Sequence, residues 1–229
     1  MSDYVAAVWA IVWKDLRIEG RTRQTVSVMV MFSLATIIMF NFALGTALDA
    51  ARNVATGLLW AIVLLAAVLG LNRSLALDRE NQVFDALLIA PIPRTALYLG
   101  KVISVSIFTL LLDLILIGLF TVFFNQPFYL PLVILVLFLG TIGYIAAGVL
   151  ITSMTIQSRT REVLLPVLLL PLSLPLVLPA ALATATVVSA APFGGVTWAE
   201  VQAPVLLVLA YDLLMLGVGL ATYQFVVES

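Results

Sequence analysis

The feature that most constrains this chain is a series of long stretches with almost no charged residue. These stretches cover residues 24–48, 53–72, 102–158, 163–199 and 204–227. Asp113 and Asp212 are the only charged residues within them. A helix needs about 20 mostly apolar residues to cross the ~30 Å hydrocarbon core of a bilayer, so each stretch is long enough to span a membrane at least once.

The composition excludes a water-soluble globular protein. Of the 229 residues, 63% are hydrophobic and 10% are charged, whereas a soluble domain has about 45–50% and about 25%. No soluble core of this size could bury so much apolar surface. The sequence therefore predicts an all-α integral membrane protein with six transmembrane helices in one domain over residues 1–229. The predicted spans are roughly 25–46, 54–76, 102–124, 131–155, 163–184 and 204–226.

Turn residues decide where two of the spans end. Residues 102–158 are long enough for two spans and divide at 125–131, where polar residues, two prolines and aromatics predict a turn. The end of the fifth stretch is rich in Thr, Ala and Ser, so residues 186–196 are expected to form a short exposed segment. Thr197 and Glu200 have the spacing of a capping box, which predicts the start of the sixth span.

The basic residues are distributed unevenly between the two sides of the membrane. With six spans, ten of the eleven Lys and Arg residues fall on one side, and only Arg52 falls on the other. The ten are Lys14, Arg17, Arg21, Arg23, Arg73, Arg79, Arg94, Lys101, Arg159 and Arg161. Because basic loops stay in the cytoplasm, both termini are predicted to be cytoplasmic.

The chain contains no His and no Cys. This excludes Ser-His-Asp and Cys-His nucleophiles, Cys/His zinc sites, disulfides and haem held by His. Gly100-Lys101 is the only Gly-Lys pair, but a phosphate-binding loop would need Gly at 95 and Ser or Thr at 102, where Thr95 and Val102 stand. We therefore expect no enzyme activity, no catalytic or metal site and no directly bound cofactor, and any ATP must be bound by another polypeptide.

Residues 3–23 have the period of an amphipathic helix. Its apolar face contains Val5, Val8, Trp9, Val12 and Leu16. An apolar face with Trp beside a basic end is typical of a helix that lies in the membrane interface. Two interpretations stay open: the helix anchors the chain on anionic lipid, or it is an elbow helix that leads into the first span and moves with it.

Residues 78–94 predict a second element outside the membrane, a short amphipathic helix that ends at Pro91 and Pro93. Its apolar face contains Val83, Phe84, Leu87 and Leu88, and its polar face contains Asn81, Gln82 and Asp85. The helix could lie on the lipid surface. Alternatively, it could fill the groove of a partner protein, which is a common mode of recognition.

Asp113 and Asp212 lie within the third and sixth predicted spans. An ionised Asp at the centre of a membrane helix costs about 2.5–3.5 kcal/mol on insertion scales. Three interpretations stay open: a protonated or hydrogen-bonded carboxyl that faces other helices, a polar lining of a substrate or proton path, or two carboxyls that share a proton.

The fifth predicted span contains four prolines, Pro166, Pro171, Pro175 and Pro179. Each proline removes a backbone donor and crowds the preceding turn. This pattern predicts a bent or partly unwound helix, which is either a fixed kink for packing or a hinge beside a lateral opening. Gly143, Ala147 and Gly148 in the fourth span predict close helix contact.

Several of these segments carry a resemblance to a known family. Residues 85–94 read Asp-Ala-Leu-Leu-Ile-Ala-Pro-Ile-Pro-Arg, and Leu-Tyr-Leu-Gly-Lys follows at 97–101. The others are Lys14–Arg23, Leu139–Gly143 with Gly148, Arg159–Pro166 and Leu170–Pro175. Over nearly its whole length the chain resembles the CcmB family, the permease subunits of the ABC transporter of cytochrome c maturation, also called haem exporter protein B.

The resemblance implies an ABC-2-like permease in the bacterial cytoplasmic (inner) membrane, in a complex that handles haem. It implies that residues 78–94 contain a coupling helix that sits on a separate ATPase subunit. The residues expected to dock there are Val83, Phe84, Asp85, Leu87, Leu88 and Pro91. The implied partners are the ATPase CcmA, the membrane proteins CcmC and CcmD, and the haem chaperone CcmE.

Three functions remain open at this point. The chain could couple the ATPase to haem export in c-type cytochrome biogenesis. It could be a non-transporting assembly subunit that transmits ATPase motion so that the haem-loaded chaperone is released. It could also be a generic ABC-2-type permease for a lipid or another apolar substrate.

Overall fold

A computed structural model describes residues 2–45, 48–80, 93–155 and 161–228. Within these ranges every regular element is helical. The helices are α1 (Ser2–Thr22), α2 (Gln24–Leu44), α3 (Leu48–Glu80), α4 (Arg94–Phe124), α5 (Pro131–Thr155), α6 (Arg161–Ala190) and α7 (Trp198–Glu228), with a short 3-10 helix at Ala191–Phe193.

Six helices of the described part are long and apolar enough to cross a membrane. They contain the candidate spans Gln24–Leu44, Val54–Ser74, Arg94–Phe124, Pro131–Thr155, Val163–Phe193 and Trp198–Tyr223. The predicted all-α membrane fold and the number of spans are therefore confirmed. Helix α1 precedes the first span.

The third membrane helix begins eight residues before the expected span. Pro93 precedes it with an extended backbone (φ −59°, ψ 132°), and the helix starts directly afterwards at Arg94. The expected start at 102 followed from the last charged residue, Lys101. The structure accommodates this charge inside the helix because Lys101 is paired with a carboxylate of α1.

The segment after residue 184 differs from the sequence-based expectation. Residues 186–190 remain in α6, and the 3-10 helix at Ala191–Phe193 follows. The expectation of an exposed loop from 186 was wrong here, because these residues are helical and Val187 and Val188 are buried in the core, although Ser189 is exposed. The hydroxyl of Thr186 also donates to the carbonyl of Leu182 (2.9 Å), so this polar side chain is satisfied within the helix.

Helix α5 is the centre of the packing. It contacts α6 and α7 extensively, and α3 and α4 on its remaining faces. Glycines allow this close approach: a Cβ at Gly140 would overlap the Trp60 ring of α3, and one at Gly148 would overlap Leu71. Trp60 cannot move aside freely, because it is 1% exposed and its Nε1 donates to Thr184 Oγ1 of α6 (3.2 Å).

The helices form two groups that meet along α5. Helices α1 to α4 pack mainly among themselves, and α5 to α7 form the second group. Side-chain hydrogen bonds cross the boundary: Tyr144 of α5 donates to the Leu64 carbonyl of α3 (3.2 Å). The hydroxyl of Tyr98 of α4 lies 3.1 Å from the Ala146 carbonyl of α5 and 3.3 Å from the Met215 carbonyl of α7.

Replacement of Gly140 by Ala tests this packing. We expect the free energy of unfolding to fall by about 1–3 kcal/mol, because the added methyl group must displace the buried Trp60 ring. Gly118→Ala in α4 is the matched control, since a Cβ there meets nothing within 4 Å. Thermal unfolding in detergent or nanodiscs measures both, and equal stability of the two variants would contradict the packing described here.

Candidate functional site

The predicted docking segment is bounded by two membrane helices. Helix α3 ends at Glu80 and α4 begins at Arg94, and these two helices pack against each other. Residues 81–92 lie outside the described residues. The predicted docking residues Val83, Phe84, Asp85, Leu87, Leu88 and Pro91 all fall in this range. The segment connects the end of α3 directly to the start of α4.

Helix α1 lies against α4, the helix that follows the docking segment. It contacts α4 far more than it contacts α2, the span that follows it in the chain. Ile11 and Val12 are buried, and a Cβ at Gly100 would come within 2.8 Å of Ile11 Cβ. Gly100 therefore allows α1 to approach the backbone of α4 closely.

An ion pair holds the same two helices together. Lys101 Nζ of α4 lies 3.0 Å from Asp15 Oδ2 of α1, and the two side chains are only 6% and 5% exposed. Lys14 Nζ lies 2.8 Å from the other oxygen, Oδ1. Burial raises the pKa of Asp15, but the cations of Lys101 and Lys14 outweigh this effect and leave the pKa below its ordinary value. Asp15 is therefore ionised at neutral pH.

The C-terminal end of α1 also contacts the first span. Glu19 is buried, and its two carboxylate oxygens accept hydrogen bonds from the backbone N–H groups of Thr25 (3.2 Å) and Val26 (2.8 Å). These N–H groups belong to the first turn of α2, where a carboxylate also interacts favourably with the helix dipole. Arg23 makes the corner between the helices in a left-handed conformation (φ 51°). Helix α1 thus connects α4 to α2.

Asp15, Glu19 and Lys101 were not predicted as contact residues from the sequence. A signal was present in the sequence: Asp15 and Glu19 are one helical turn apart and follow Ile11 at the same spacing, so all three share a face. Two carboxylates on the same face as a buried apolar residue indicate that the carboxylates have partners inside the protein. The sequence does not identify those partners.

Asp113 lies between α4 and α5. It is 2% exposed, and its Oδ2 accepts a hydrogen bond from Thr141 Oγ1 of α5 at 2.6 Å. Its Oδ1 has no hydrogen-bond partner among the described residues. This contact crosses the boundary between the two helix groups.

Asp212 lies on the other side of α5. It is 4% exposed, and neither carboxylate oxygen has a hydrogen-bond partner within the described part of the chain. A Cβ at Gly143 would overlap its Oδ1, so the carboxyl occupies the space that this glycine leaves. Thr141 and Gly143 are two residues apart, about 200° around a helix, so they point to nearly opposite sides of α5. The structure therefore places α5 between Asp113 and Asp212 and does not bring the two carboxyls together.

Helix α6 is continuous through all four of its prolines. Pro171 and Pro175 are exposed on its outer face, opposite a buried row that includes Leu169 and Leu176. The hydroxyl of Tyr211 donates to the Leu172 carbonyl (3.2 Å), in the turn that the Pro175 ring crowds. This bond joins α6 to α7 next to the carbonyl of Pro171, which loses its helical donor at Pro175.

Comparisons with known proteins agree with this architecture. The family described as CcmB protein matches residues 6–225. "Heme exporter protein B" of Rhodobacter capsulatus is 32% identical over 163 residues, which are 70% of this chain and 74% of that protein. "Heme exporter protein B" of Escherichia coli K12 is 29% identical over 96 residues, 42% of this chain and 44% of that protein. The match over nearly the whole chain shows that this protein belongs to the CcmB family.

Proposed function

We propose that this chain is the membrane permease subunit of an ABC-type complex in c-type cytochrome biogenesis, which couples a separate ATPase to haem export. The observation that carries the proposal is the family match over residues 6–225 of a chain with six candidate spans. Both relatives named above are haem exporter proteins. The proposed location is the bacterial inner membrane, with both termini in the cytoplasm because the basic residues cluster on one side.

ATP is bound by a partner in this proposal. The sequence has no phosphate-binding loop, because the one Gly-Lys pair, Gly100-Lys101, lacks the upstream Gly and the following Ser or Thr. The partner is a CcmA-like ATPase, and the complex further contains CcmC-like and CcmD-like membrane subunits and delivers haem to a CcmE-like chaperone. Haem is substrate of the complex and not a resident cofactor of this chain.

The docking segment is the proposed site of coupling. An ATPase that closes on ATP pulls on residues 78–94 and tilts α3 and α4, which the segment joins. Helix α1 moves with α4, because Ile11 packs on Gly100 and Asp15 pairs with Lys101. The first helix group then moves against α5 to α7. The contacts of Tyr98, Asp113 and Tyr144 cross this boundary and change with the motion.

Charge on the apolar face of the docking segment should abolish ATPase binding. We expect Phe84→Asp or Leu87→Asp to prevent copurification of the ATPase while the chain still inserts into the membrane, because a buried unpaired carboxylate destabilises a helix-in-groove contact. Gln82→Asp, on the predicted polar face, is the matched control and should retain the ATPase. If the ATPase still copurified with Phe84→Asp and with Leu87→Asp, the segment would not dock as proposed.

Removal of one partner of the ion pair should uncouple α1 from α4. Asp15→Asn removes the carboxylate that pairs with the buried Lys101, and we expect a loss of about 3–5 kcal/mol in the stability of the chain. The double variant Asp15→Leu/Lys101→Met removes both charges and should be more stable than the single variant. The measurement is thermal unfolding of the purified chain, with ATPase retention as a check on the docking segment. A double variant less stable than the single one would contradict the pairing.

The pH dependence of the same contact follows from the lowered pKa of Asp15. A carboxyl with a depressed folded-state pKa contributes stability above its unfolded pKa of ~3.9, and this contribution is lost as the pH falls through the folded value. We therefore expect the Asp15 contribution, measured as the difference between wild type and Asp15→Asn, to be constant from pH 7 to about pH 5. It should decline only in more acidic solution.

Because α5 separates Asp113 from Asp212, we propose that each carboxyl contributes on its own side of α5 to a polar path used during the transport cycle. Asp113→Asn retains an oxygen that can accept the hydrogen bond of Thr141, so the variant removes ionisation with little change in shape. We expect Asp113→Asn/Asp212→Asn to reduce cytochrome c assembly in cells, and Thr141→Val, which leaves both carboxyls, to reduce it less. Normal assembly in the double variant, at normal protein level, would rule out the polar path.

One observation favours a related function, in which the chain transmits ATPase motion so that the haem-loaded chaperone is released. The sequence has no His and no Cys, the residues that most often hold haem iron. Uptake of haem into vesicles that contain the purified complex distinguishes the two functions. ATP-dependent accumulation supports export, whereas release of the loaded chaperone without accumulation supports the related function.

A further inference from the structure

A cleft of about 530 Å³ opens between α1, α2 and α4. Gly20 of α1 and Arg23 at the corner lie at one end, Val30 and Met31 of α2 lie further along the first span, and Phe108 of α4 lines the side. Residues 23 and 31 are eight positions apart, so the cleft extends about 12 Å along the first span at 1.5 Å per residue. It thus begins at the membrane boundary and continues into the apolar part of the first span.

The two ends of the cleft differ in chemistry. Arg23 is exposed at its mouth, and Arg17 and Arg21 are exposed on the adjoining turn of α1. Glu19 also lines the cleft, but both of its carboxylate oxygens accept hydrogen bonds from the first turn of α2. The inner end is formed by Val30 and Met31, and Phe108 and Leu111 of α4 add apolar surface along the side. A ligand that fits has a negative headgroup and a long apolar chain.

We propose that this cleft binds one anionic phospholipid, with its phosphate at Arg23 and an acyl chain between α2 and α4. An apolar cleft at this depth is in contact with lipid chains, and clustered arginines at the boundary favour an anionic headgroup by about 1 kcal/mol per residue. Each arginine should therefore raise the affinity for an anionic headgroup about fivefold. The lipid fills the space between α1 and the first span and is a structural ligand, not the transported substrate.

Met31 and Leu111, which line the cleft, are exposed, so the cleft opens toward the surrounding lipid. A Cβ at Gly20 meets nothing within 4 Å, so the backbone of α1 is accessible from the cleft. This opening also provides a test variant. The variant Gly20→Leu places a side chain in the cleft without a backbone clash. It should not weaken the helix, because Leu has a higher helix propensity than Gly.

The test uses the full chain in nanodiscs of phosphatidylcholine that contain a trace of photoactivatable phosphatidylglycerol. Crosslinked peptides are identified by mass spectrometry. We expect labelling of the segments around Gly20–Met31 and Phe108–Leu111.

Two variants test whether the labelled lipid lies in the cleft. Arg23→Gln should reduce the labelling about fivefold, and Gly20→Leu should abolish it. The matched controls are Arg52→Gln, an exposed arginine at the other side, and Gly118→Leu, an open glycine elsewhere on α4; neither should change the labelling.

Three results would overturn the proposal. Equal labelling by a photoactivatable phosphatidylcholine would show that the cleft has no preference for anionic headgroups. Labelling unchanged in Gly20→Leu would place the lipid outside the cleft. Displacement of the phosphatidylglycerol label by equimolar haem would identify the cleft as a haem site. Because none of these readouts requires the ATPase, failure of the lipid proposal and failure of the proposed function are distinguishable.

Discussion

The lack of hydrogen-bond partners in a lipid bilayer is the constraint on which the rest of this structure depends. Every backbone N–H and C=O in the hydrocarbon must be satisfied by the protein, and this favours helices. The same constraint explains local details. The hydroxyl of Thr109 bonds to the carbonyl one turn earlier in its own helix, and Tyr211 donates to the Leu172 carbonyl beside a proline. Helix α6 is continuous through its four prolines, and its Leu172 carbonyl receives this bond from α7.

Much of the fold follows from the sequence because the signals are local. Uncharged runs predict six spans, and the turn at 125–131 separates α4 from α5 as expected, since α4 ends at Phe124 and α5 begins at Pro131. The sequence-based end of the fifth span was too early, because the helix continues to Ala190 with Val187 and Val188 buried in the core. Composition alone does not distinguish an Ala/Thr-rich loop from the last turns of a packed helix.

The functional contacts are harder to predict because they join residues that are far apart in the chain. Asp15 and Lys101 are 86 positions apart, and their pairing depends on how α1 lies across α4. The close contacts predicted for Gly143 and Gly148 are made with different helices: Gly143 accommodates Asp212 of α7, whereas Gly148 accommodates Leu71 of α3. In each case the residue type indicated a close or polar contact, but only the structure identifies the partner.

We propose that motion of the docking segment moves α1, α3 and α4 together against α5 to α7. The natural absence of Cys makes the chain suited to paired spin labels. Labels at the exposed positions Ile103 of α4 and Val163 of α6 report the distance between the groups, and a second pair at Trp13 and Ile103 reports the distance within the first group. In the complex with the native ATPase, trapped ATP should change the Ile103–Val163 distance and leave the Trp13–Ile103 distance unchanged. An unchanged Ile103–Val163 distance in a complex that hydrolyses ATP would contradict it.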